Sequence, residues 1–149
     1  MGRFLSIISA FISLILLTAC HQDVQFSKID FHCYSFVDGR AIYELKIDFD
    51  KRILKAKYYE NRYPEQKKEW SKTLILDSEQ FKKWQRILNK SEVDRWDNYY
   101  DSNLICGLIW RLKYILSTGE TRTLGGHNNW PDEISIISEA IQKEVGKEK

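Results

Sequence analysis

Proline and glycine are scarce, 2 Pro and 7 Gly in 149 residues. A chain so poor in both is neither collagen-like nor low-complexity. Its 43% hydrophobic and 13% aromatic content excludes wholesale disorder. An excess of one charge is missing too. Lys+Arg 23 nearly balance Asp+Glu 21, a formal net charge of +2, so charge gives no argument for a nucleic-acid partner. No repeat occurs at solenoid periods. There is no CxxC or HxxxH spacing, and the three histidines, His21, His32 and His127, are scattered. Neither a metal nor a cofactor is therefore expected. The G-x-S-x-G, S-x-x-K and H-E-x-x-H signatures of hydrolytic enzymes are absent as well. The length suits one domain plus a targeting segment.

The first twenty residues have the layout of an address. Arg3 supplies a positive start, Phe4 to Ala19 carries no charge, and the run ends in small residues, as in a signal peptide. It is short for a membrane span, which needs roughly 20 apolar residues. Leu17-Thr18-Ala19-Cys20 resembles the lipobox of bacterial lipoproteins. The resemblance implies cleavage before Cys20, a diacylglycerol on its thiol and acylation of the new amine. Two or more acyl chains make a firm membrane anchor. In enterobacterial lipoproteins an Asp after the cysteine favours inner-membrane retention. His21 at that place resembles the outer-membrane-sorted kind, facing the periplasm. The expected organisation is residues 1–19 as signal peptide, 20–28 as tether and 29–146 as a single domain.

With Cys20 acylated, Cys33 and Cys106 remain. An exported pair permits a disulfide, and both fall on the apolar side of their expected strands. Closing so long a loop would stabilise by about 4 kcal/mol in the chain-entropy model. Two buried free thiols are the alternative.

Alternation of apolar and polar residues predicts strands at Ile29–Val37, Ala41–Phe49 and Ile53–Tyr59. Asp38-Gly39 is a hairpin signal between the first two. Glu60 to Lys72, charged and containing Pro64, reads as a loop, and Thr73–Leu76 as a short strand. A helix follows. Asp77 can cap it, Gln80 completes a capping box, and Phe81, Trp84, Ile87 and Leu88 form its apolar stripe. Ser91 to Asn103 reads as polar chain rich in aromatics. Strands at Leu104–Leu116 and Thr121–Leu124 come next, then a helix opened by Pro131, striped by Ile134, Ile137, Ile141 and Val145, and ended by Gly146. The expected fold is α+β, a single antiparallel sheet of about six strands in ββββαββα order. Two helices would pack on one face and leave the other wet.

Trp96 and Tyr99, Trp110 within a strand, and Gly126-His127-Asn128-Asn129-Trp130-Pro131 opening a helix resemble small, poorly characterised bacterial domains. Those carry Trp-x-x-Tyr, Asp-Gly-x-x-Trp and Gly-x-Asn-x-aromatic-Pro segments. Cys106-Gly107 stands here where they have Asp-Gly. The resemblance implies a fold and brings no activity.

Candidate binding residues are Trp96, Tyr99, Tyr100 and Trp130, as an aromatic surface, with His127 and Asn128 as donors for an anion at a helix N-terminus. Packing at a core edge is the competing role for the aromatics, and a plain strand-to-helix turn for Gly125 to Pro131. Asp94, Asp97 and Asp101 lie beside the aromatics. An enzyme would need Asp97, Asp101, His127 or Cys106 to converge. The basic residues of Lys51 to Lys57 alternate with apolar ones, as on a solvated strand face. No catalytic set emerges. The expectation is a lipid-anchored, non-enzymatic binding module with an envelope partner and no nucleic acid. The rivals are an inhibitor or immunity-type lipoprotein, using Glu60 to Lys72, and a hydrolase-like enzyme.

Overall fold

The computed structural model describes residues 23–35, 39, 41–61, 67–103 and 107–146. Leu17 to Cys20, where a lipobox is expected, and Cys106 lie outside the described residues. The strands are β1 (Phe26–Ser35), β2 (Ala41–Asp48), β3 (Ile53–Asn61), β4 (Lys67–Ile75), β5 (Tyr99–Asp101), β6 (Leu108–Leu116) and β7 (Thr121–His127). The helices are α1 (Ser78–Lys90) and α2 (Ile134–Glu144). All seven strands form one sheet in the order β4-β3-β2-β1-β6-β7-β5.

Alternation explains the core. Ile29, Phe31 and Cys33 of β1 stand in register with Ile47, Leu45 and Tyr43 of β2, and with Tyr114, Leu112 and Trp110 of β6. Leu54 and Ala56 continue these rows into β3, Leu124 and Gly126 into β7. One face of the sheet is therefore buried. Helix α2 packs on β2 and β3, and α1 packs on α2. Trp84 and Leu88 of α1 and Ile137 and Ile141 of α2 are fully enclosed, each contributing about 1.5–3 kcal/mol by burial. The α+β class, the single sheet and the two helices are as expected. Among the described residues no helix is long and apolar enough to cross a membrane.

Four details differ from expectation. The sheet has seven strands, and the added one, β5, runs parallel to β7. Its three residues are too few to show alternation; hydrogen bonds and the packing of Tyr100 hold it. The segment 67–72, expected as loop, belongs to β4, which pairs with β3 from Ile53↔Ile75 to Asn61↔Lys67. Its charges are those of an edge strand, where lysines discourage further pairing. Strand β7 runs through Gly125-Gly126 to His127. Helix α2 begins at Ile134, three residues after Pro131, with Glu133 at its cap making no side-chain bond. At α1 the capping box is formed. Asp77 accepts from the Glu79 and Gln80 amides at 2.8 Å, and Gln80 accepts from the Asp77 amide at 3.0 Å.

The domain also begins earlier than expected. Val24 and Phe26, placed in the tether by sequence, are held by two amide side chains of α1. Asn89 accepts from the Val24 N–H at 2.8 Å and donates to its carbonyl at 2.9 Å. Gln85 does the same for Phe26 at 3.0 and 2.6 Å. On the other side of the chain, the Ser117 amide donates to Gln25 O at 2.7 Å.

Glu144, only 7% exposed, clasps β4 to both helices, receiving Lys72 at 3.3 Å and Lys83 at 3.0 Å. Burial opposes its charge, but the two lysines outweigh burial and hold the carboxyl below its ordinary value. A lowered carboxyl contributes stability above its unfolded value, and that contribution is lost as pH falls through the folded one. Glu144→Gln should therefore cost about 1–2 kcal/mol at neutral pH, the lysines being half-exposed. Thermal melts across pH should show the gap from the native protein closing once pH drops below about 4.5. A gap that persists in acid would refute the clasp.

Candidate functional site

Among the described residues no helix covers one face of the sheet, and a hollow opens there around Gly125. Three strands build it. Gly125 of β7 stands between Arg111 of β6 and Tyr99 of β5. Those two flank it at one strand spacing each, about 10 Å apart in all. Glycine leaves the floor bare, so the side chains on either side become walls. In the next row Asp101, His127, Ile109 and Tyr34 stand side by side. Of these, His127, Ile109 and Tyr34, together with Asn98 and Thr123, line the hollow of ≈ 460 Å³, open to solvent, a size that suits a small ligand or a single side chain of a partner. Tyr99 is 64% exposed and Arg111 is exposed. An exposed guanidinium can take a carboxylate or phosphate through two parallel bonds, and a tyrosine ring can stack against a planar group.

Asn128 orients His127. The Leu108 N–H donates to Asn128 Oδ1 at 2.7 Å, which fixes how that amide is turned. Asn128 Nδ2 then faces His127 Nε2 at 3.2 Å. Nδ1 lies 3.7 Å from Asp101 Oδ1. Asn128 has a φ of 52°, the left-handed geometry that asparagine tolerates. Gly107, at φ +145°, has no room for a side chain, since a Cβ there would lie 1.6 Å from Asn128 Oδ1.

The six candidate binding residues divide between the two faces. Tyr99 and His127 border the hollow, and Asn128 orients His127. Trp96, Tyr100 and Trp130 gather instead around Trp110, on the covered face. Trp96 meets it edge-on at 5.9 Å, Tyr100 is tilted at 5.8 Å, and Trp130 stacks at 5.8 Å with planes 18° apart. Trp96 is buried, and its indole N–H donates to Ser91 O at 2.8 Å. The core-edge role therefore describes these three. Helix α2 starts at Ile134, six residues beyond Asn128, with the Ile134 and Ile136 amides donating to Pro131 O and Glu133 O, so His127 and Asn128 do not stand at its N-terminus. Amides of the turn before it are also used locally. Gly125 N–H donates to Asn98 O, Asn128 N–H to Leu108 O and Trp130 N–H to Asn129 Oδ1.

Of the four residues an enzyme would need, Asp101 and His127 are adjacent. Asp97 is exposed outside the hollow, and Cys106 lies outside the described residues. Cys33 is buried opposite Trp110 and carries a free thiol in this structure. Burial pushes that thiol up to about 12, which makes it a poor nucleophile. No group of three or more His, Cys, Asp or Glu able to hold a metal occurs among the described residues.

Sequence reasoning missed Arg111, Tyr34 and above all Arg122. Arg122 donates to Asp94 O at 2.7 Å, Trp96 O at 2.9 Å and Asn98 Oδ1 at 2.7 Å, and touches Tyr114 OH at 3.4 Å. It ties the segment that carries Tyr99 to the sheet. An arginine in a short polar strand gives no sign of this, because its acceptors, two backbone carbonyls and the Asn98 side-chain oxygen, lie 24 to 28 residues away.

No protein-family model matches the chain, and no curated protein matches it.

Arg122→Met keeps the stem of the side chain and removes its donors. It should lower stability by about 2–3 kcal/mol, since the acceptors lose charge-assisted bonds. It should also raise amide hydrogen exchange at Tyr99–Asp101 more than in β1. Uniform exchange across the sheet would argue against this anchoring role.

Proposed function

We propose that this chain is a lipid-anchored binding module of the bacterial cell envelope, tethered through Cys20 and facing the periplasm from the outer membrane. Its partner or ligand engages the helix-free sheet face around Gly125. The observation that carries the reading is the hollow, where Arg111 and Tyr99 stand exposed on either side of a bare glycine floor. Tyrosine and arginine are among the side chains enriched at binding hot spots. A sheet face without helices also leaves a rigid surface on which such side chains keep fixed spacings. Leu17-Thr18-Ala19-Cys20 supports the anchor. The reading is of a non-enzymatic module.

The inhibitor reading rested on Glu60 to Lys72. Much of that segment is paired strand in the β3–β4 hairpin, so it has less free loop to insert into a target's active site.

Two experiments test the proposal. Cys20→Ser should move the protein from the membrane to the soluble fraction on cell fractionation, and unchanged membrane retention would sink the anchor. A photo-crosslinking residue at Tyr99 in the anchored protein should capture one envelope component, and Arg111→Ala should cut that capture at least tenfold, about 1.4 kcal/mol, without lowering the melting temperature. Equal capture from a crosslinker at Thr73, on the far edge of the same face, would refute the site.

A further inference from the structure

We propose that helix α1 lies against an anionic lipid surface, with Lys82, Arg86 and Lys90 as its docking stripe. The proposal rests on acylation of Cys20 and adds to it an orientation. The first argument is reach. Val24 is fixed to α1 through Asn89, as Phe26 is through Gln85. Three residues separate Cys20 from Val24, and the four steps between their Cα atoms span at most about 14 Å at full extension. A lipid on Cys20 therefore keeps the Asn89 end of α1 close to the headgroups, whatever path those residues take.

The second argument is direction. Phe26 sits at Gln85 and Val24 one helical turn later at Asn89, so the chain, traced back toward Cys20, leaves along α1 toward its C-terminal end. Lys90 stands at that end. Lys82, Arg86 and Lys90 are spaced i, i+4 and i+8, which aligns them along one side of the helix, and all three are exposed. A groove of ≈ 360 Å³ between Asp23–Gln25 and α1 has Lys82 and Arg86 in its lining. The basic stripe thus borders the emerging chain.

The third argument is charge. Acidic side chains nearby are few. Asp23 is exposed beside the groove, Glu79 lies at the far end of α1, and Glu92 is paired with Arg95 at 3.4 Å. Screening reaches about 8 Å at physiological ionic strength, so only groups held close to the surface feel it. Within that distance each basic side chain favours an anionic leaflet about fivefold. Three of them make docking the dominant state for a domain that the anchor already holds nearby. The hollow around Gly125 then lies at the far end of the sheet from that entry, since β1 runs about 26 Å from Phe26 to Tyr34.

The test uses the full chain, purified acylated from a bacterial host and reconstituted into vesicles. One set is phosphatidylcholine alone, the other contains phosphatidylglycerol. Brief lysine acetylation, read by mass spectrometry, should label Lys82 and Lys90 at least about fivefold more slowly in the anionic vesicles, relative to Lys46 and Lys113 on the open sheet face. The protection should vanish at high salt and shrink in Arg86→Gln. Equal labelling in both vesicle types, or protection insensitive to salt, would overturn the docking. The same spectra report the Cys20 peptide. An acylated peptide with no lysine protection defeats the orientation alone, and an unacylated peptide defeats both it and the anchor.

Discussion

The covered face of this sheet depends on how closely Trp110 approaches Gly126. The two are paired across β6 and β7, and a Cβ on Gly126 would lie 2.4 Å from the indole nitrogen of Trp110 and 2.7 Å from Asn129 O. The missing side chain lets the indole lie across β7. There its N–H donates to Asn129 O at 2.8 Å. Trp96, Tyr100 and Trp130 then close around it from the segment before β5, from β5 itself and from the turn before α2. One small residue thus collects three separate stretches of chain about one ring. A buried indole needs a hydrogen-bond partner, and the turn at Asn129 supplies it.

The neighbouring glycine acts on the opposite face. Successive residues of a strand point to opposite sides, so Gly125 is bare where the sheet is open. The same dipeptide admits a ring below and leaves a floor above. Strand β5 completes both arrangements, since Tyr100 faces the core and Tyr99 the hollow. With only three residues β5 could not hold its place by burial alone. Arg122, reaching Asp94, Trp96 and Asn98, and the Gly125 N–H, donating to Asn98 O at 3.1 Å, hold it by hydrogen bonds to its leading segment. Charged donors on backbone carbonyls are among the stronger bonds available to a surface segment. The segment that brings Tyr99 to the proposed site is therefore held by hydrogen bonds, most of them from one arginine.

What could be read from the sequence follows the same division. Elements specified by local periodicity were legible. The alternation of Tyr43, Leu45 and Ile47 predicts β2, and Asp77 with Gln80 predicts the start of α1. Features that depend on register were not. Arg111, Gly125 and Tyr99 come from three segments of unremarkable pattern and become neighbours only when β6, β7 and β5 are paired. Strand β4 was hidden because an edge strand is charged on the side that would otherwise alternate. Trp96, Tyr99, Tyr100 and Trp130 attracted attention as a group, yet their chemistry is equally that of a core rim. Only the facing direction of each, set by Gly126 and by the parallel pairing of β5, separates the ring that borders the hollow from the three that pack.

The entry of the chain illustrates a further limit on what periodicity can convey. Strand β2 ends at Asp48, opposite Lys28, so the backbone of Val24 and Phe26 extends past the strand that would satisfy it. Unpaired backbone groups in a partly buried segment are costly. Gln85 and Asn89 replace the missing strand. Residues i and i+4 of a helix lie about 6 Å apart along its axis, and residues i and i+2 of a strand about 6.6 Å, so two side-chain amides match two backbone amides. Each amide carries a donor and an acceptor, as a peptide group does, which explains why Gln and Asn occupy these positions rather than charged residues. In the sequence they are polar residues on a helix, with nothing to distinguish them from solvated ones. Their effect is to make α1 the place where the chain enters the domain, so that any constraint on residues ahead of Val24 is transmitted to that helix rather than absorbed by a slack tether.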